Sequence, residues 1–431
     1  VNPVERIAAE LEAVRRRSLD LLAPLDDAAL LAQHSPLMSP LVWDLAHVGN
    51  YEEIWLVRAL GGPAIGEAHD DTYNAFRHPR RERPSLPLLP PPAARAYIAE
   101  VRALALDVLD RGGLGDDPLR REGFVYGMVV QHEHQHDETM LATLQLMAEP
   151  GYRPVRTPPP EPLVDPTSLP EEVLVPAGPF VMGTDTEPWA YDNERPAHVV
   201  DLPAFWIDTF PTTCAQYLEF VDAGGYDDPR WWSQQGWAWR CEAGLQHPQF
   251  WRREGSQWFC LRFGWREPLR PDEPVQHVCW YEADAYARFR GKRLPTEAEW
   301  EKAASWDPAT GTKRRYPWGD ADPDPSRANL GQRHFGPAPV GAYPAGASPY
   351  GVHQMIGDVW EWTASTFRPW PGFVAFPYRE YSEVFFGDEY RVLRGGSWAT
   401  HPVAVRTTFR NWDFPIRRQI FTGIRLARDA R

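Results

Sequence analysis

Along the chain the spacing of apolar residues changes character once. Between residues 4 and 147 they recur at three- and four-residue intervals in four stretches, 4–22, 40–60, 92–109 and 123–147, parted by Pro or Gly breaks. That period predicts four amphipathic helices, which bury their apolar stripes by packing together, so the first part reads as a helical bundle. Residues 72–92 hold Tyr73, Arg77, Arg80, Arg81, Arg83 and a run of prolines, which forbids a continuous helix and predicts a long loop of the kind that often carries function. Residues 150–170 are proline-rich, with Pro158, Pro159 and Pro160 in succession, and predict an extended connector. Beyond residue 171 come short β-like runs such as 173–176 and 198–202, broken by Gly, Pro and Asn, with helical stretches at 213–223, 280–290 and 296–305. The expected fold is multidomain, α and α+β: a helical bundle over 1–150, a connector over 151–171 and an irregular α+β domain over 172–431. No internal repeat is visible.

Composition keeps that picture and narrows the function. With 43% hydrophobic and 24% charged residues the chain has material for substantial cores. A formal net charge of −14 repels phosphate, so neither nucleic acid nor an anionic membrane is an expected partner. Residues 1–21 alternate apolar and charged side chains without the apolar run of a secretory signal, and no later stretch approaches the length of a membrane span. A cytoplasmic monomer acting on small molecules is the expectation. Cys214, Cys241, Cys260 and Cys279 show no Cys-x-x-Cys spacing and read as reduced thiols, with one disulfide or a metal site left open.

The densest chemical signal is His132-Glu133-His134-Gln135-His136, inside a stretch of helical period. On a helix His132 and His136 stand about 40° apart and can share a metal, whereas His134 lies on nearly the opposite face. The same letters satisfy His-Glu-x-x-His, the zinc-protease pattern, with Glu133 as general base. Residues 137–151 contain no further His, and the chain then enters its proline stretch, so that route lacks a third ligand. His47, in Trp43-Asp44-Leu45-Ala46-His47 on a neighbouring helix, is a candidate third ligand, since bundle metal sites are built from facing helices. Three imidazoles leave open positions and suit iron(II) or zinc; ligand types alone do not choose.

The motifs of the two parts resemble a known pairing. Ser39-Pro40-Leu41-Val42-Trp43-Asp44-Leu45-Ala46-His47 with His132-Glu133-His134-Gln135-His136-Asp137-Glu138-Thr139 is similar to a DinB-like four-helix metal-binding domain. Val175-Pro176-Ala177-Gly178-Pro179-Phe180, Leu294-Pro295-Thr296-Glu297-Ala298-Glu299-Trp300-Glu301, Tyr316-Pro317-Trp318-Gly319, Gly357-Asp358-Val359-Trp360-Glu361-Trp362 and Arg394-Gly395-Gly396-Ser397-Trp398 resemble the formylglycine-generating-enzyme, or sulfatase-modifying-factor, fold, itself similar in topology to C-type lectins. Formylglycine-generating enzymes carry two reactive cysteines after the Arg-Gly-Gly-Ser motif, at positions matching Thr400 and Val405 here. No cysteine follows Cys279, which argues against that chemistry.

In this order the motifs together resemble the ergothioneine sulfoxide synthases. The resemblance implies iron(II) held by His47, His132 and His136, and a thiol substrate, γ-glutamylcysteine in the actinobacterial type, held by Arg80, Arg83, Asp413 and Arg417. It implies contacts to hercynine, the trimethylated histidine, from Gln135, Asn411 and Trp412, and a proton supplied by Tyr378 with Tyr381 assisting. The chemistry suits the residues: guanidinium forks match carboxylates, an aromatic face suits a trimethylammonium and a phenol donates protons. The implied reaction uses dioxygen to join the thiol sulfur to imidazole C2 and to oxygenate that sulfur, in a cleft between the two domains. Two rivals remain: a related synthase using cysteine or a selenium donor, and a non-catalytic lectin-like binding protein.

Overall fold

The computed structural model describes residues 2–147 and 152–430, which form two compact units, Val1–Arg153 with Glu187–Trp189, and Pro154–Thr186 with Ala190–Arg431. The boundary expected between residues 150 and 151 lies outside the described residues. No helix among the described residues is long and apolar enough to cross a membrane.

The first unit contains α1 (Pro3–Leu22), α2 (Asp27–Leu31), α3 (Leu41–Glu52), α4 (Pro91–Gly112) and α5 (Phe124–Leu146). Local chemistry sets several of the starts. Asn2 and Glu5 form a capping box around the first turn of α1, and prolines sit in the first turns of α1 and α4, where no amide hydrogen is needed. Residues 40–60 are not one continuous helix. α3 ends at Glu52, and the chain passes through a π turn at Glu53–Val57 and a 3-10 turn at Arg58–Leu60. The carboxylate of Glu53 faces inward there and accepts from the amides of Ile65 (2.9 Å) and Gly66 (3.0 Å) and the hydroxyl of Tyr97 (2.6 Å), contacts that satisfy a fully buried charge.

One charged side chain from each long helix meets the others in the interior: Arg15 of α1, Glu52 of α3, Arg102 of α4 and Glu133 of α5. Arg15 donates to Glu52 (2.6 Å) and Glu133 (2.7 Å), and Arg102 donates to the same carboxylates at 2.5 Å and 3.1 Å. All four residues are buried. Burial alone would raise the pKa of Glu133, but Arg15 and Arg102 hold it down at about 2. Each carboxylate therefore bridges two guanidinium groups, and the desolvation cost is offset by charge-assisted hydrogen bonds.

In the second unit, strands Glu172–Val175 and Ala427–Asp429 flank Phe205–Asp208 in an antiparallel sheet, so the two ends of the unit close on each other. A four-stranded sheet runs in the order Asn411–Asp413, Arg391–Arg394, Trp360–Thr366, Thr422–Gly423. Its edge strand displays Asn411, Trp412 and Asp413. A core of Val175, Phe205, Ile207, Trp300, Val352, Met355 and Val405 packs together on the first of these sheets. The proline-rich stretch is strapped to this unit from Pro154 onward, with the amides of Thr157 and Leu163 donating to the carbonyls of Arg333 (3.4 Å) and Gly341 (3.0 Å). A helix at Gln234–Ala243 and the meander Trp251–Glu254, Gln257–Arg262, Trp265–Pro268 were not anticipated from the apolar pattern.

The sequence motifs of this unit build its frame. Trp300 donates to Glu361 (2.6 Å), Arg425 grips both oxygens of Glu361, and Trp362 donates to the carbonyl of Val278 (2.9 Å). Gly357 and Gly395 have positive φ, and a Cβ would lie 2.3 Å from the Asn329 carbonyl oxygen at the first and 2.4 Å from the Met355 carbonyl oxygen at the second. Only glycine fits such backbone-to-backbone approaches.

Replacing Glu133 by alanine leaves two buried guanidinium groups sharing one carboxylate. The expected loss is about 3–5 kcal/mol, read from the urea midpoint of the helical transition. A change below about 1 kcal/mol, the scale of a surface pair, would show that the charge cluster does not set the stability of the bundle.

Candidate metal centre

The site begins with α3, in which every residue from Leu41 to Glu52 is buried, including His47 and Asp44. α5 lies beside it and carries His132 and His136 one turn apart. One ring nitrogen from each of the three histidines falls within 4.8 Å of the others. The ring centroids of His47 and His136 are 4.6 Å apart, those of His132 and His136 4.7 Å, and those of His47 and His132 5.1 Å.

Oxygen acceptors orient two of the rings. Nδ1 of His47 lies 2.7 Å from the carbonyl oxygen of Tyr73, which only accepts, so Nδ1 carries the hydrogen and the Nε2 lone pair is left for a ligand. Nδ1 of His136 lies 3.1 Å from Oδ1 of Asp44 in the same relation. The third ring, His132, stacks on Tyr51 at 3.8 Å, and its Nδ1 is buried without a hydrogen-bond partner among the described residues. Burial, reinforced by the neighbouring imidazoles, holds His47 and His132 well below the usual histidine range and therefore in the neutral, ligating form. Three imidazole nitrogen donors, two of them held in register by oxygen acceptors, and one buried nitrogen lacking a partner among the described residues fit a divalent transition metal. The donor set accepts iron(II) and zinc alike.

His134 is not in this cluster. Its Nδ1 lies 3.3 Å from Asp137, and burial pushes its pKa down to about 3. Glu133 faces the interior cluster of Arg15 and Arg102, so it is spent on structure and not available as the base of a zinc protease. Asp44 and Tyr51 were missed as supporting residues; an acidic residue in an otherwise buried helix was the available signal for Asp44, because a buried carboxylate requires a donor.

A column of flat groups leads from His47 to the arginine loop. His47 stacks on Trp43 at 4.7 Å and 11°, and the guanidinium carbon of Arg83 sits 3.6 Å from the Trp43 ring. Arg83 is buried and donates to the Ser39 hydroxyl (2.7 Å) and the carbonyls of His78 (3.0 Å) and Ala75 (3.2 Å). Burial lowers its pKa to about 10 against the opposing attraction of Asp44. Arg80 is half-buried and donates to the Leu37 carbonyl (3.1 Å), and Gln135 is half-buried on α5 between His132 and His136.

In the second unit, Tyr378 and Tyr381 lie on a segment without regular strand, their rings 6.1 Å apart. Tyr381 meets Trp412 edge-on at 6.3 Å, and Trp412 stacks on Phe367 at 4.1 Å. Asp413 and Arg417 are half-buried and face each other at 3.6 Å.

The comparisons with known proteins agree with this architecture. Residues 159–430 match the sulfatase-modifying factor enzyme 1-like domain family, and residues 10–140 match the DinB superfamily. The chain is 55% identical to the hercynine oxygenase of Mycolicibacterium smegmatis, covering 99% of each protein, and 53% identical to that of Mycobacterium tuberculosis, again covering 99% of each. It is 33% identical to the formylglycine-generating enzyme of Streptomyces coelicolor over 66% of this chain and 97% of that protein. A helical unit with three converging histidines joined to a sulfatase-modifying-factor-like unit defines an oxidoreductase. The chain belongs to the hercynine oxygenase family.

His132→Ala is expected to weaken cobalt(II) or iron(II) binding by more than about 100-fold and Asp44→Ala by about 10–100-fold, whereas His134→Ala leaves it near the parent value. Anaerobic metal titration followed by absorbance reads all three. Equal losses in His132→Ala and His134→Ala would show that the metal does not sit on the three-histidine cluster.

Proposed function

We propose that this chain catalyses the iron(II)- and dioxygen-dependent joining of hercynine to γ-glutamylcysteine, giving γ-glutamyl-hercynylcysteine sulfoxide in ergothioneine biosynthesis. The observation that carries the reading is the convergence of His47, His132 and His136 on one point in a chain of the hercynine oxygenase family. Iron(II) held by those residues would supply the one-electron chemistry that lets dioxygen react with closed-shell substrates.

The atoms and electrons balance without a further reductant. Hercynine gives up its imidazole C2 hydrogen and the thiol its S–H hydrogen as the carbon–sulfur bond forms; one oxygen atom is transferred to sulfur and the other leaves as water. The remaining tasks fall to side chains of this protein. Arg83 is a buried guanidinium hydrogen-bonded to a hydroxyl and two carbonyls, an environment that favours a substrate carboxylate, and Arg80 stands three residues away on the same loop. Asp413 and Arg417 offer an acidic and a basic group to the ammonium and carboxylate of the glutamyl end. Gln135, Asn411 and Trp412 are assigned to hercynine, with the Trp412 face suited to its trimethylammonium. Tyr378 is assigned as the proton donor and Tyr381 as its partner. Cys214, Cys241, Cys260 and Cys279 are unpaired, in keeping with a reducing cytoplasm, and a monomer completes the reading.

Anaerobic iron(II) loading, followed by air, hercynine and either γ-glutamylcysteine or cysteine, should yield sulfoxide by mass spectrometry. The expected preference for γ-glutamylcysteine is about 10-fold or more in kcat/KM, the worth of one charge-assisted pair. Absence of any sulfoxide refutes the enzyme assignment, and a preference for cysteine refutes the thiol assignment.

Tyr378→Phe should keep iron bound while raising the dioxygen consumed per sulfoxide formed. An unchanged ratio would remove the proton-donor role.

A further inference from the structure

The segment that carries Tyr378 and Tyr381 has no sheet ladder to hold it. It consists of short 3-10 turns at Arg379–Tyr381 and Glu383–Phe385, and Arg379 and Glu380 are exposed to solvent. A proton donor must be held within a fraction of an ångström of its working position, which a surface loop does not achieve by itself. Yet Ser382 within it is fully buried.

The reason lies in a second turn, Asp192–Glu194, preceded by the buried Tyr191. One carboxylate, that of Asp192, receives the Phe376 amide (3.2 Å) on one oxygen and the Ser382 hydroxyl on the other. The two ends of the tyrosine segment are thus drawn onto one side chain. Asn193 also donates to the Ser382 hydroxyl oxygen at 2.9 Å. Between these anchors the Tyr191 ring stacks on Tyr381 at 4.1 Å and 20°, and the two side chains are hydrogen-bonded. The turn is itself fixed from below: Glu194 accepts from Arg406 (2.8 Å) and Thr408 (2.7 Å), and the Asn193 carbonyl accepts from Arg410 (2.9 Å), next to Asn411 and Trp412. Burial pushes the Tyr191 phenol up, so it stays protonated across the working pH range.

We propose that the turn after Tyr191 is a clamp that sets the position of the tyrosine pair, with Tyr191 and Asp192 as positioning residues for proton delivery by Tyr378. The inference rests on the proton-donor reading given above. It assigns Asp192 the task of closing the segment and Tyr191 the task of fixing the Tyr381 ring and hydroxyl, against which Tyr378 packs edge-on.

The test uses the full iron-loaded chain with Tyr191→Phe, which keeps the ring stack and removes the hydroxyl, and Asp192→Asn and Asp192→Ala, which weaken and remove the clamp, alongside Tyr378→Phe. Two quantities are read: dioxygen consumed per sulfoxide, and hydrogen–deuterium exchange across residues 376–385, which needs no turnover. Exchange in that segment should speed up about tenfold or more in Asp192→Ala, as expected for losing a charge-assisted anchor. The consumption ratio should rise at least about threefold in Tyr191→Phe and Asp192→Asn at unchanged iron content, a partition that generalised loosening elsewhere would not shift. Unchanged exchange in Asp192→Ala overturns the clamp. A ratio altered by Tyr378→Phe but by neither Tyr191→Phe nor Asp192→Asn overturns the positioning role alone. A ratio unaltered by Tyr378→Phe overturns the proton-donor reading and the catalytic meaning of the clamp with it.

Discussion

Four charges that cannot be separated without leaving one stranded in an apolar interior set the geometry of the helical unit. Arg15, Glu52, Arg102 and Glu133 come from four different helices, and each carboxylate touches both guanidinium groups. Such a cluster contributes less to stability than its contacts imply, because desolvation offsets much of the attraction, but it discriminates sharply between helix rotations. With Glu133 turned toward Arg15 and Arg102, helix geometry places His132 about 100° and His136 about 60° round to the same side of the helix. The face left between α5 and α3 is therefore the histidine face. The charge cluster and the histidine cluster are two consequences of one rotation.

Around the histidines the supporting contacts divide the work. A backbone carbonyl and a buried carboxylate orient His47 and His136, aromatic stacking holds His132 and His47, and burial keeps His47 and His132 neutral. The same aromatic column ends on Arg83, a buried cation hydrogen-bonded to a hydroxyl and two carbonyls and so receptive to an anion. In the second unit the motif residues Trp300, Glu361, Trp362 and Arg394 are framework, hydrogen-bonded in the interior, while the side chains assigned to chemistry stand on an edge strand and an irregular segment. Function on loops over a rigid scaffold is the common division of labour.

Much of this was legible beforehand, and for identifiable reasons. The 3.6-residue period exposed the four long helices, and the i,i+4 spacing of His132 and His136 isolated a pair able to share a ligand while turning His134 away. The π turn after Glu52 was not legible, because it answers to donors from Ile65, Gly66 and Tyr97 that come together only after the chain has folded back. The short helix Asp27–Leu31 and the meander around Trp258 were missed for a related reason: they are too brief or too mixed in polarity for a period to register.

What the sequence determined by itself is whatever depends on near neighbours in the chain: helix period, caps, glycine turns, and the chemical identity of the candidate ligands. Tertiary structure alone decided which of those groups meet. It turned Glu133 from a candidate base into a structural charge, made Asp44 the partner of His136 across 92 positions, and drew Phe376 and Ser382 onto Asp192 from more than 180 positions away. Contacts between residues so far apart in the chain leave no local periodicity, because a side chain's partner there is set by the packing of whole elements and not by spacing along the backbone.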